Sequence, residues 1–431
     1  GDALAANLTP PPENLFADFT KCLQFVEKKR MLNVACFFKT ARRFLKDILP
    51  SVRRFFEKRG IDLTAFVKKN AVLCIALIAA AITMCFVPPD AEYLGYFDLK
   101  TLACLYGTLA VVCALRNIFF FRYVAGSIVR VFKNLRAAVL ALVYITLFGS
   151  MLIANDMALI TFLPLGYFVL DSTGNRKSIP FVFIMQNVAA NLGGMLTPFG
   201  NPQNLYLYSH FSIPTGEFMS VMFPPFVVSI LLITLCCLFI KPEPMSLPES
   251  DADTGFSPKR ALIYLVLFAL SIVIVFRVIP YWIGLAVIPL SILLLDRKAM
   301  RMVDYPLLLT FVCFFIFSGN MARIGAVRSF FSALLGRDTL LVGTLSCQVI
   351  SNVPSAILLS QFTDNYRELL LAVNIGGAGT LIASLASLIT FREYLRHNPG
   401  QSGRYIALFS AFNFGFLALL TLFCMVYRTT F

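Results

Sequence analysis

Long apolar stretches separated by short polar segments dominate the chain from residue 71 onwards. About nine of them approach the roughly 20 residues that a helix needs to cross a bilayer. Shorter apolar arms occur in two adjacent pairs. The pattern predicts an all-α polytopic membrane protein. The predicted spans are 71–88, 99–116, 180–208, 220–240, 261–278, 281–296, 306–322, 368–391 and 405–428, and the paired arms are 137–153 with 157–170 and 338–350 with 353–363.

The polar segments divide the chain into parts. Residues 1–70 open on a Pro-rich stretch and become strongly basic, with apolar residues at helix-like spacing. This pattern predicts a basic amphipathic N-terminal arm on an anionic membrane face, with a protein partner as the competing interpretation. The predicted parts are the cytoplasmic arm 1–70, membrane repeat 1 over 71–240 with a hairpin at 137–171 and a broken helix at 180–208, a cytoplasmic linker 241–260, an extra span 261–280, and membrane repeat 2 over 281–431 with a hairpin at 338–363 and a broken helix at 368–391.

Lys and Arg in the short loops indicate an orientation, because cytoplasmic loops collect positive charge. One topology puts every basic loop inside. It requires the first pair of arms to re-enter from the cytoplasm and the second pair to re-enter from outside. The two halves are therefore predicted to be inverted, with the N-terminus cytoplasmic and the C-terminus outside. The basic loops are the arm before Ala71, the connector with Arg116, Arg122, Arg130, Lys133 and Arg136, the Arg176-Lys177 pair, the Asp296-Arg297-Lys298 loop and the Arg392 to Arg404 loop.

Composition agrees with a membrane protein and narrows its chemistry. Of the 431 residues, 58% are hydrophobic and 14% charged, against about 45–50% and 25% for a soluble domain. The net charge of +14 fits cytoplasmic loops, and no nucleic-acid recognition motif accompanies it, so we expect no nucleic-acid partner. The 11 cysteines include no C-x-x-C and there are only two histidines. We therefore predict no cofactor and no zinc, haem or disulfide framework.

Polar, helix-breaking motifs interrupt the apolar segments in matched pairs. Asn191 to Asn204 can be laid on Asn374 to Ser387 at a constant offset of 183 residues, with Asn, both glycines and Thr identical. Each copy follows a hairpin-tip sequence, Ile153 to Asp156 in one half and Ile350 to Pro354 in the other. Backbone groups without helical partners are tolerated in a membrane only where they line an enclosed cavity. The pairs predict the binding site of a secondary transporter, and packing motifs or simple kinks are the alternative.

These tip and broken-helix motifs resemble the ion transporter superfamily. Asn155 to Pro164, Asn191 to Gly194 and Gly200 to Asn204 are similar to the citrate-transporter-like permeases, which are related to divalent-anion/sodium symporters and arsenite permeases. The resemblance covers roughly residues 71–428. It implies two inverted-topology repeats, each with a re-entrant hairpin and a discontinuous helix. It also implies a scaffold that often forms a homodimer and an elevator-type movement of the substrate-carrying part.

The repeat and the resemblance together imply a set of substrate and ion residues. The dicarboxylate branch typically has Ser-Asn-Thr at both tips, whereas this chain has Ala-Asn-Asp at the first and Ser-Asn-Val at the second. Opened carbonyls can coordinate Na⁺, and half-helix N-termini can hold an anion. We expect any Na⁺ near Asn155, Asp156, Gly200 and Asn352. The implied substrate and ion residues are Asn155, Asp156, Asn191, Thr197, Gly200, Asn201, Asn204, Ser351, Asn352, Pro354, Asn374, Thr380, Ala383 and Ser384.

Asp156 is the one carboxylate that we place within a membrane-embedded apolar stretch. Such a group is costly there unless it pairs, binds a cation or is protonated. One interpretation is coupling to Na⁺ or H⁺, and another is that it caps the second hairpin arm by accepting from the N–H of Ala158 or Leu159. Arg323 could reach the site from its edge as a counter-charge, or it could simply mark the end of a span.

Taken together, these features predict a secondary active transporter in a bacterial inner membrane. It would move a small anion, a carboxylate or an inorganic oxyanion, coupled to Na⁺ or H⁺, with the lipid bilayer and a second copy as partners. A Na⁺/H⁺ antiporter of the same fold without an organic substrate is the alternative. An enzyme or an ATP-driven pump is not expected, because the chain has no G-x-G-D, G-x-S-x-G or G-x-x-x-x-G-K-[ST] motif.

Overall fold

The computed structural model describes residues 66–67, 70–129, 131–245 and 257–430. The predicted N-terminal arm therefore lies almost wholly outside the described residues, and so does the middle of the predicted linker. The chain divides into two compact units, Gly1–Cys85 and Phe86–Phe431. In the first unit the described residues contain one long helix, α1, which runs over Ala71–Met84.

Helices make up the regular structure of the second unit. An isolated bridge between Asn134 and Pro244 is the only strand-like pairing in the described part of the chain. The all-α class predicted from the sequence is confirmed. The helices are α2 (Leu99–Asn117), α3 (Phe120–Val129), α4 (Leu135–Ile153), α5 (Asn155–Ser172), α6 (Ile179–Gly193), α7 (Pro202–His210), α8 (Thr215–Leu238), α9 (Pro258–Val275), α10 (Tyr281–Leu295), α11 (Arg297–Arg301), α12 (Tyr305–Arg323), α13 (Gly325–Leu335), α14 (Thr339–Ile350), α15 (Asn352–Leu359), α16 (Tyr366–Ile375), α17 (Leu385–His397) and α18 (Ser402–Tyr427).

Seven of the described helical segments are long and apolar enough to cross a membrane. An eighth span results if α13 and α14, which meet at 120°, are counted as one bent segment. The sequence predicted nine spans, and α1 and α10 account for part of the difference because they contain only 14 and 15 residues. At 1.5 Å per residue these two helices measure roughly 21–23 Å, less than the ~30 Å hydrocarbon core.

Side-chain caps set the first residue of several helices. Asp98, Asn134 and Asp338 each accept a hydrogen bond from the backbone N–H three residues later, at the starts of α2, α4 and α14. A capped start is well defined because one of the unpaired first-turn N–H groups is satisfied. Helices α5 and α15 begin without such a cap, and only Ala154 and Ser351 separate them from α4 and α14.

Helix packing brings the two halves of the sequence together. Helix α4 packs against α5 and α6, and in the same way α14 packs against α15 and α16. The following segments cross over, because α7 packs against α15 and α16 while α17 packs against α5 and α6. Almost all of α6 is buried. Because of this crossing, the gaps between α6 and α7 and between α16 and α17 lie close to the ends of both hairpins, which are the junctions of α4 with α5 and of α14 with α15.

A separate group of helices surrounds α2. Helices α9, α10 and α11 pack against α2, and α11 packs against α10 as well. Large apolar side chains such as Leu262 on α9 and Leu294 on α10 are exposed. Exposed apolar faces on long helices are expected where the solvent is lipid rather than water.

Candidate functional site

The two hairpin ends have the same backbone geometry. Ala154 has φ 65° and ψ 151°, and Ser351 has φ 75° and ψ 158°. Residues other than glycine rarely occupy this region, and holding one there costs on the order of 1–3 kcal/mol. The next residue is an asparagine in both cases, Asn155 or Asn352. Its Oδ1 accepts a hydrogen bond of 2.9 Å from the backbone N–H of the residue that follows it. The two ends thus repeat each other at an offset of 197 residues.

The two helix breaks also match. Residues 194–201 separate α6 from α7, and residues 376–384 separate α16 from α17. The last residue of each break is extended, with φ −142° and ψ 145° at Asn201 and φ −147° and ψ 142° at Ser384. A side chain at Gly194 would overlap the carbonyl oxygen of Gly200 at 2.7 Å, so only glycine fits this crossing of the backbone.

A threonine in each break fastens it to the neighbouring hairpin. Thr197 Oγ1 donates to the carbonyl oxygen of Met151 at 2.7 Å, and Thr380 Oγ1 donates to that of Gln348 at 3.1 Å. Met151 and Gln348 each lie three residues before a hairpin end. Both threonine hydroxyl protons are therefore engaged in tying a break to the first arm of its own hairpin.

Amide side chains from both halves meet in a buried cluster. Asn191 Oδ1 accepts hydrogen bonds from Asn155 Nδ2 at 3.1 Å and from Ser384 Oγ at 2.7 Å. Asn374 Oδ1 accepts from Asn201 Nδ2 at 3.5 Å. All members are at most 3% exposed. We call this group the asparagine cluster, and it consists of Asn155, Asn191, Asn201, Asn204, Asn352, Asn374 and Ser384.

Residues that are equivalent in the sequence repeat make equivalent contacts between the two halves. Asn191 corresponds to Asn374, and Asn201 corresponds to Ser384, at the offset of 183 residues. The hydrogen bond from Ser384 to Asn191 is therefore the counterpart of the one from Asn201 to Asn374. In each case the residue that ends one break donates to the asparagine of the other half. The cluster therefore contains two equivalent contacts between the halves and is not a chance grouping of polar side chains.

Asn204 holds the first break in shape. Its Nδ2 lies within hydrogen-bond distance of the carbonyl oxygens of Gly194, Met195 and Thr197, at 3.1, 3.3 and 3.4 Å. Its Oδ1 accepts from Asn374 Nδ2 at 2.6 Å. Carbonyl groups in a break have lost their helical donors, and one amide here serves three of them.

The second hairpin end is tied to the second break through the backbone. The N–H of Asn352 donates to the carbonyl oxygen of Ala383 at 2.9 Å, and Ser351 Oγ donates to the same oxygen at 3.2 Å. A β-carbon at Gly377 would lie 3.2 Å from Nδ2 of Asn352 and 3.8 Å from Oδ1 of Asn191. The backbone at Gly377 therefore runs beside amide groups of both halves.

Three buried polar atoms, two in the cluster and one on Asp156 next to it in the chain, have no hydrogen-bond partner in the described part of the chain. They are Oδ1 of Asp156, Nδ2 of Asn191 and Oδ1 of Asn201. The N–H of Ala158, expected as a donor to Asp156, donates instead to the carbonyl oxygen of Ala154 at 3.0 Å. Leaving a buried polar atom unpaired costs about 1–3 kcal/mol, so such atoms point to a place where a ligand or water completes the network.

The remaining sequence-predicted residues do not bond within the cluster. Pro354 lies in the first turn of α15, where its missing N–H is tolerated. The N–H of Gly200 donates to the carbonyl oxygen of Thr197 at 3.2 Å inside the break.

The described residues contain no group of three or more His, Cys, Asp or Glu that could hold a metal ion. Amide, hydroxyl and backbone oxygens are therefore the main candidate ligands for a cation here.

Gln348 is a structural residue that sequence reasoning missed. Its Nε2 donates to the carbonyl oxygens of Gly376 at 2.9 Å and Ala378 at 3.1 Å, and its Oε1 accepts from the N–H of Thr380 at 2.9 Å. It thus serves the second break as Asn204 serves the first. The signal for it was a long polar side chain in an apolar arm, three residues before the hairpin end.

Asn187 extends the polar network one turn before Asn191 and was also missed. Its Nδ2 donates to Ser387 Oγ at 3.3 Å and to Asn413 Oδ1 at 3.5 Å, and its Oδ1 accepts from Thr390 Oγ1 at 3.3 Å. These residues lie on α17 and α18. The network therefore joins α6 to the second half of the chain at two successive turns.

Arg323 lies at the end of α12 and is held in ion pairs. Its guanidinium contacts Asp90 at 2.6 Å and Glu92 at 3.2 Å, and it donates to the hydroxyl of Tyr96 at 3.1 Å. The hydrogen bond from Arg323 holds the pKa of Asp90 below its usual value of 3.8. In the described part of the chain Arg323 contacts Asp90, Glu92 and Tyr96 and no member of the asparagine cluster, so the interpretation as a span-end charge fits better than that of a counter-charge.

Comparison with known proteins gives one family. A family model described as a citrate transporter matches residues 56–366. An uncharacterised transporter of Methanocaldococcus jannaschii is 33% identical over 319 residues, covering 74% of this chain and 86% of that protein. The inner membrane protein YbiR of Escherichia coli is 29% identical over 331 residues, covering 73% of this chain and 86% of that protein.

A more distant relative matches a smaller part. A silicon efflux transporter of Oryza sativa is 27% identical over 172 residues, which covers 38% of this chain and 34% of that protein. The family match covers the first helix break but ends where α16 begins, before the second break. The first hairpin end, the first break and the second hairpin end all lie inside the matched region.

Proposed function

This chain belongs to the citrate transporter family, a family of membrane transporters rather than enzymes, and from that premise we propose that it is a secondary active transporter of a small anion. The substrate class is a carboxylate or an inorganic oxyanion, and the coupling ion is Na⁺ or H⁺. The observation that carries the proposal is the asparagine cluster, in which two equivalent hairpin ends and two equivalent helix breaks meet around unpaired buried polar atoms.

The helix ends around the cluster support an anionic substrate. Helices α5 and α15 begin at Asn155 and Asn352, and α7 and α17 begin just after Asn201 and Ser384. Four helix N-termini therefore converge on one buried region. Each presents the positive end of a helix dipole, which favours an anion without a formal positive charge. The unpaired Nδ2 of Asn191 is one further donor for such a ligand.

Buried side-chain oxygen atoms without hydrogen-bond partners support a coupling cation. Oδ1 of Asp156 and Oδ1 of Asn201 are buried without a hydrogen-bond partner in the described residues. A carboxylate in an apolar surrounding is stabilised by binding a cation or by taking up a proton. We place Na⁺ near Asn155, Asp156, Gly200 and Asn352, and Asp156 is the group that would carry the proton if H⁺ is the coupling ion.

Symmetry of the contacts supports the finer architecture that we propose. The two halves form inverted-topology repeats, each with a re-entrant hairpin (α4–α5 and α14–α15) and a discontinuous helix (α6–α7 and α16–α17). The group around α2, α9, α10 and α11 forms the scaffold, a surface for a second copy, against which the hairpins and broken helices move in an elevator mechanism. The basic loops support an orientation with the N-terminus in the cytoplasm and the C-terminus outside. The name of the Escherichia coli relative supports an inner-membrane location.

Transport by the purified chain in proteoliposomes tests this function. Citrate, succinate, phosphate, sulfate, arsenite and silicic acid are each offered with and without a Na⁺ or pH gradient, and both current and uptake of labelled substrate are recorded. The proposal predicts accumulation of one anion that requires one cation gradient. Silicic acid is included because it extends the panel to the substrate named for the rice relative. Failure of every anion to accumulate under any gradient would contradict the proposal.

A Na⁺/H⁺ antiporter of the same fold is the second candidate, and the unpaired carboxylate oxygen of Asp156 favours it. In that case Asp156 exchanges Na⁺ for H⁺ and no anion is required. The two candidates separate in one assay. A Na⁺ gradient alone would then acidify or alkalinise the vesicle lumen with chloride as the anion throughout, and Asp156→Asn would abolish the response.

A further inference from the structure

A basic cavity of about 420 Å³ is lined by residues of which none belongs to the asparagine cluster. It is bounded by the end of α2 and the start of α3, by one face of the hairpin helix α5, and by α11. Three cationic side chains line it: Arg116, Arg122 and Lys298. The cavity therefore joins the connector after the predicted span 99–116 to the second arm of the first hairpin.

Local geometry brings these cations together. Phe119 has φ 58°, which ends α2 and redirects the chain so that α3 packs back onto α2. Asn117 Nδ2 donates to Asp296 Oδ2 at 2.7 Å, and Asp296 Oδ1 accepts from the N–H of Ala299 at 3.0 Å at the start of α11. The connector and the helix that carries Lys298 are thus tied to the same end of α2.

The positive charge of this cavity is not neutralised within the described part of the chain. None of the ion pairs there includes Arg116, Arg122 or Lys298. Asp296, the carboxylate next to Lys298, already accepts from Asn117 and Ala299. Three guanidinium or ammonium groups around one concave space attract an anion with several acceptor oxygens.

The walls of the cavity are apolar. Phe119 and Phe168 are 47% and 45% exposed, and Leu165 and Met302 are among the other apolar residues of the lining. Exposed aromatic side chains next to unpaired cations suit an amphiphile whose charged group meets the cations while its chains lie along the rings. The basic connector is also on the predicted cytoplasmic side, where anionic lipids attract Lys and Arg.

We propose that this cavity is a binding site for a phosphate group, supplied by the headgroup of an anionic glycerophospholipid or by free inorganic phosphate. Arg116, Arg122 and Lys298 contact the phosphate oxygens, and the apolar walls accommodate acyl chains when the ligand is a lipid. Because Thr161 and Pro164 of α5 line the same cavity, the bound phosphate bridges the connector to the hairpin. The site is separate from the transported anion, and its test measures binding rather than transport.

Native mass spectrometry of the full chain tests the site. The purified protein in detergent is offered phosphatidylglycerol, phosphatidylcholine or inorganic phosphate, and retained molecules are counted across a concentration series. We expect phosphatidylglycerol to be retained more strongly than phosphatidylcholine. Arg122→Gln and Lys298→Gln should each weaken its retention about fivefold, the effect of about one cation near an anionic surface. Arg297→Gln is the matched control, because Arg297 neighbours Lys298 but does not line the cavity.

The same experiment distinguishes the two sources of phosphate, and its results can overturn the proposal. Competition by inorganic phosphate at millimolar concentration assigns the site to a free phosphate, whereas retention of lipid without such competition assigns it to the headgroup. Arg122→Lys keeps the charge and should restore most of the binding, which distinguishes lost charge from a disturbed fold. Equal retention by wild type and the Arg122→Gln/Lys298→Gln double variant overturns the proposal, and so does an equal loss in Arg297→Gln.

Discussion

Asn201 and Asn204 lie three residues apart and use the same amide group for different tasks. Asn204 Oδ1 and Nδ2 are both engaged, with a hydrogen bond of 2.6 Å to Asn374 and contacts with three carbonyl oxygens. Asn201 makes only long contacts of 3.3 and 3.5 Å, and its Oδ1 is buried without a partner in the described structure. An amide with unused capacity is suited to a ligand, and a fully used one is suited to holding the backbone.

Asn204→Ala should therefore destabilise the protein. The substitution leaves the carbonyl oxygens of the first break without their donor, and Asn374 Nδ2 keeps only its hydrogen bond of 2.8 Å to the carbonyl oxygen of Leu370, at a cost of about 2–3 kcal/mol. We expect a clear fall in the melting temperature of the purified protein in detergent. Asn201→Ala is the matched control and should lower the melting temperature much less. Equal melting temperatures for Asn204→Ala and the wild type would show that Asn204 does not hold the break.

Ala154→Gly should stabilise the protein. Ala154 sits in a backbone region that is nearly restricted to glycine, and relief of this strain is worth about 1 kcal/mol after the greater freedom of glycine in the unfolded chain is subtracted. The melting temperature should rise. Ala158→Gly, in the interior of α5, should lower it by the ordinary helix penalty of about 1 kcal/mol. A fall in both variants would mean that the backbone at residue 154 is not strained.

At the scale of elements, an ion pair joins the turn before α2 to the end of α12. Arg323 hydrogen-bonds Asp90 and lowers the pKa of that carboxyl from 3.8. A depressed folded-state pKa contributes stability above the unfolded pKa, and the contribution is lost as pH falls through the folded pKa. Wild type should therefore melt above Asp90→Asn at about pH 6, with the difference shrinking below pH 3.8. A difference that persists at pH 2–3, measured by melting temperature, would contradict this role.

The sequence located many of the polar residues of the cluster because each stands out in an apolar segment. Asn191 and Asn374 were found as a matched pair at a constant offset, and the structure brings both into one network. Gln348 and Asn187 were missed because the repeat pairs them with Met151 and Leu370, which are apolar. A search restricted to residues shared by both copies cannot find a polar group that only one copy uses.

Which residues touch across the halves could not be read from the repeat alone. The offset identifies equivalent positions, but the contacts join Ser384 to Asn191 and Asn201 to Asn374, which depends on α7 and α17 crossing to the opposite hairpin.

The contacts of Arg277 could not be predicted from the sequence either. It follows α9 like any span-end charge, yet it stacks on the ring of Tyr208 at 4.1 Å and donates to the carbonyl oxygens of Tyr208 and Ile213 at the end of α7.

At the scale of the whole molecule, two hairpins, two breaks and one cluster form a single arrangement with approximate twofold equivalence. Each half supplies a hairpin end in a strained backbone conformation, a threonine that fastens its break, and a donor that reaches an asparagine of the other half. Strained backbone that persists at equivalent places is typical of functional sites. The proposed anion site, its coupling ion and the crossing of the halves are one feature, so a change in the cluster should affect transport before it affects the fold.

Coupled anion uptake by Asn201→Ala in proteoliposomes tests this central claim most directly. The wild type, Asn201→Ala and the loop control Asn175→Ala are compared with the anion and cation gradient that the wild type uses. We predict that Asn201→Ala abolishes uptake while its insertion and melting temperature stay close to those of the wild type, and that Asn175→Ala transports normally. Uptake by Asn201→Ala at the wild-type rate would contradict the assignment of the asparagine cluster as the transport site.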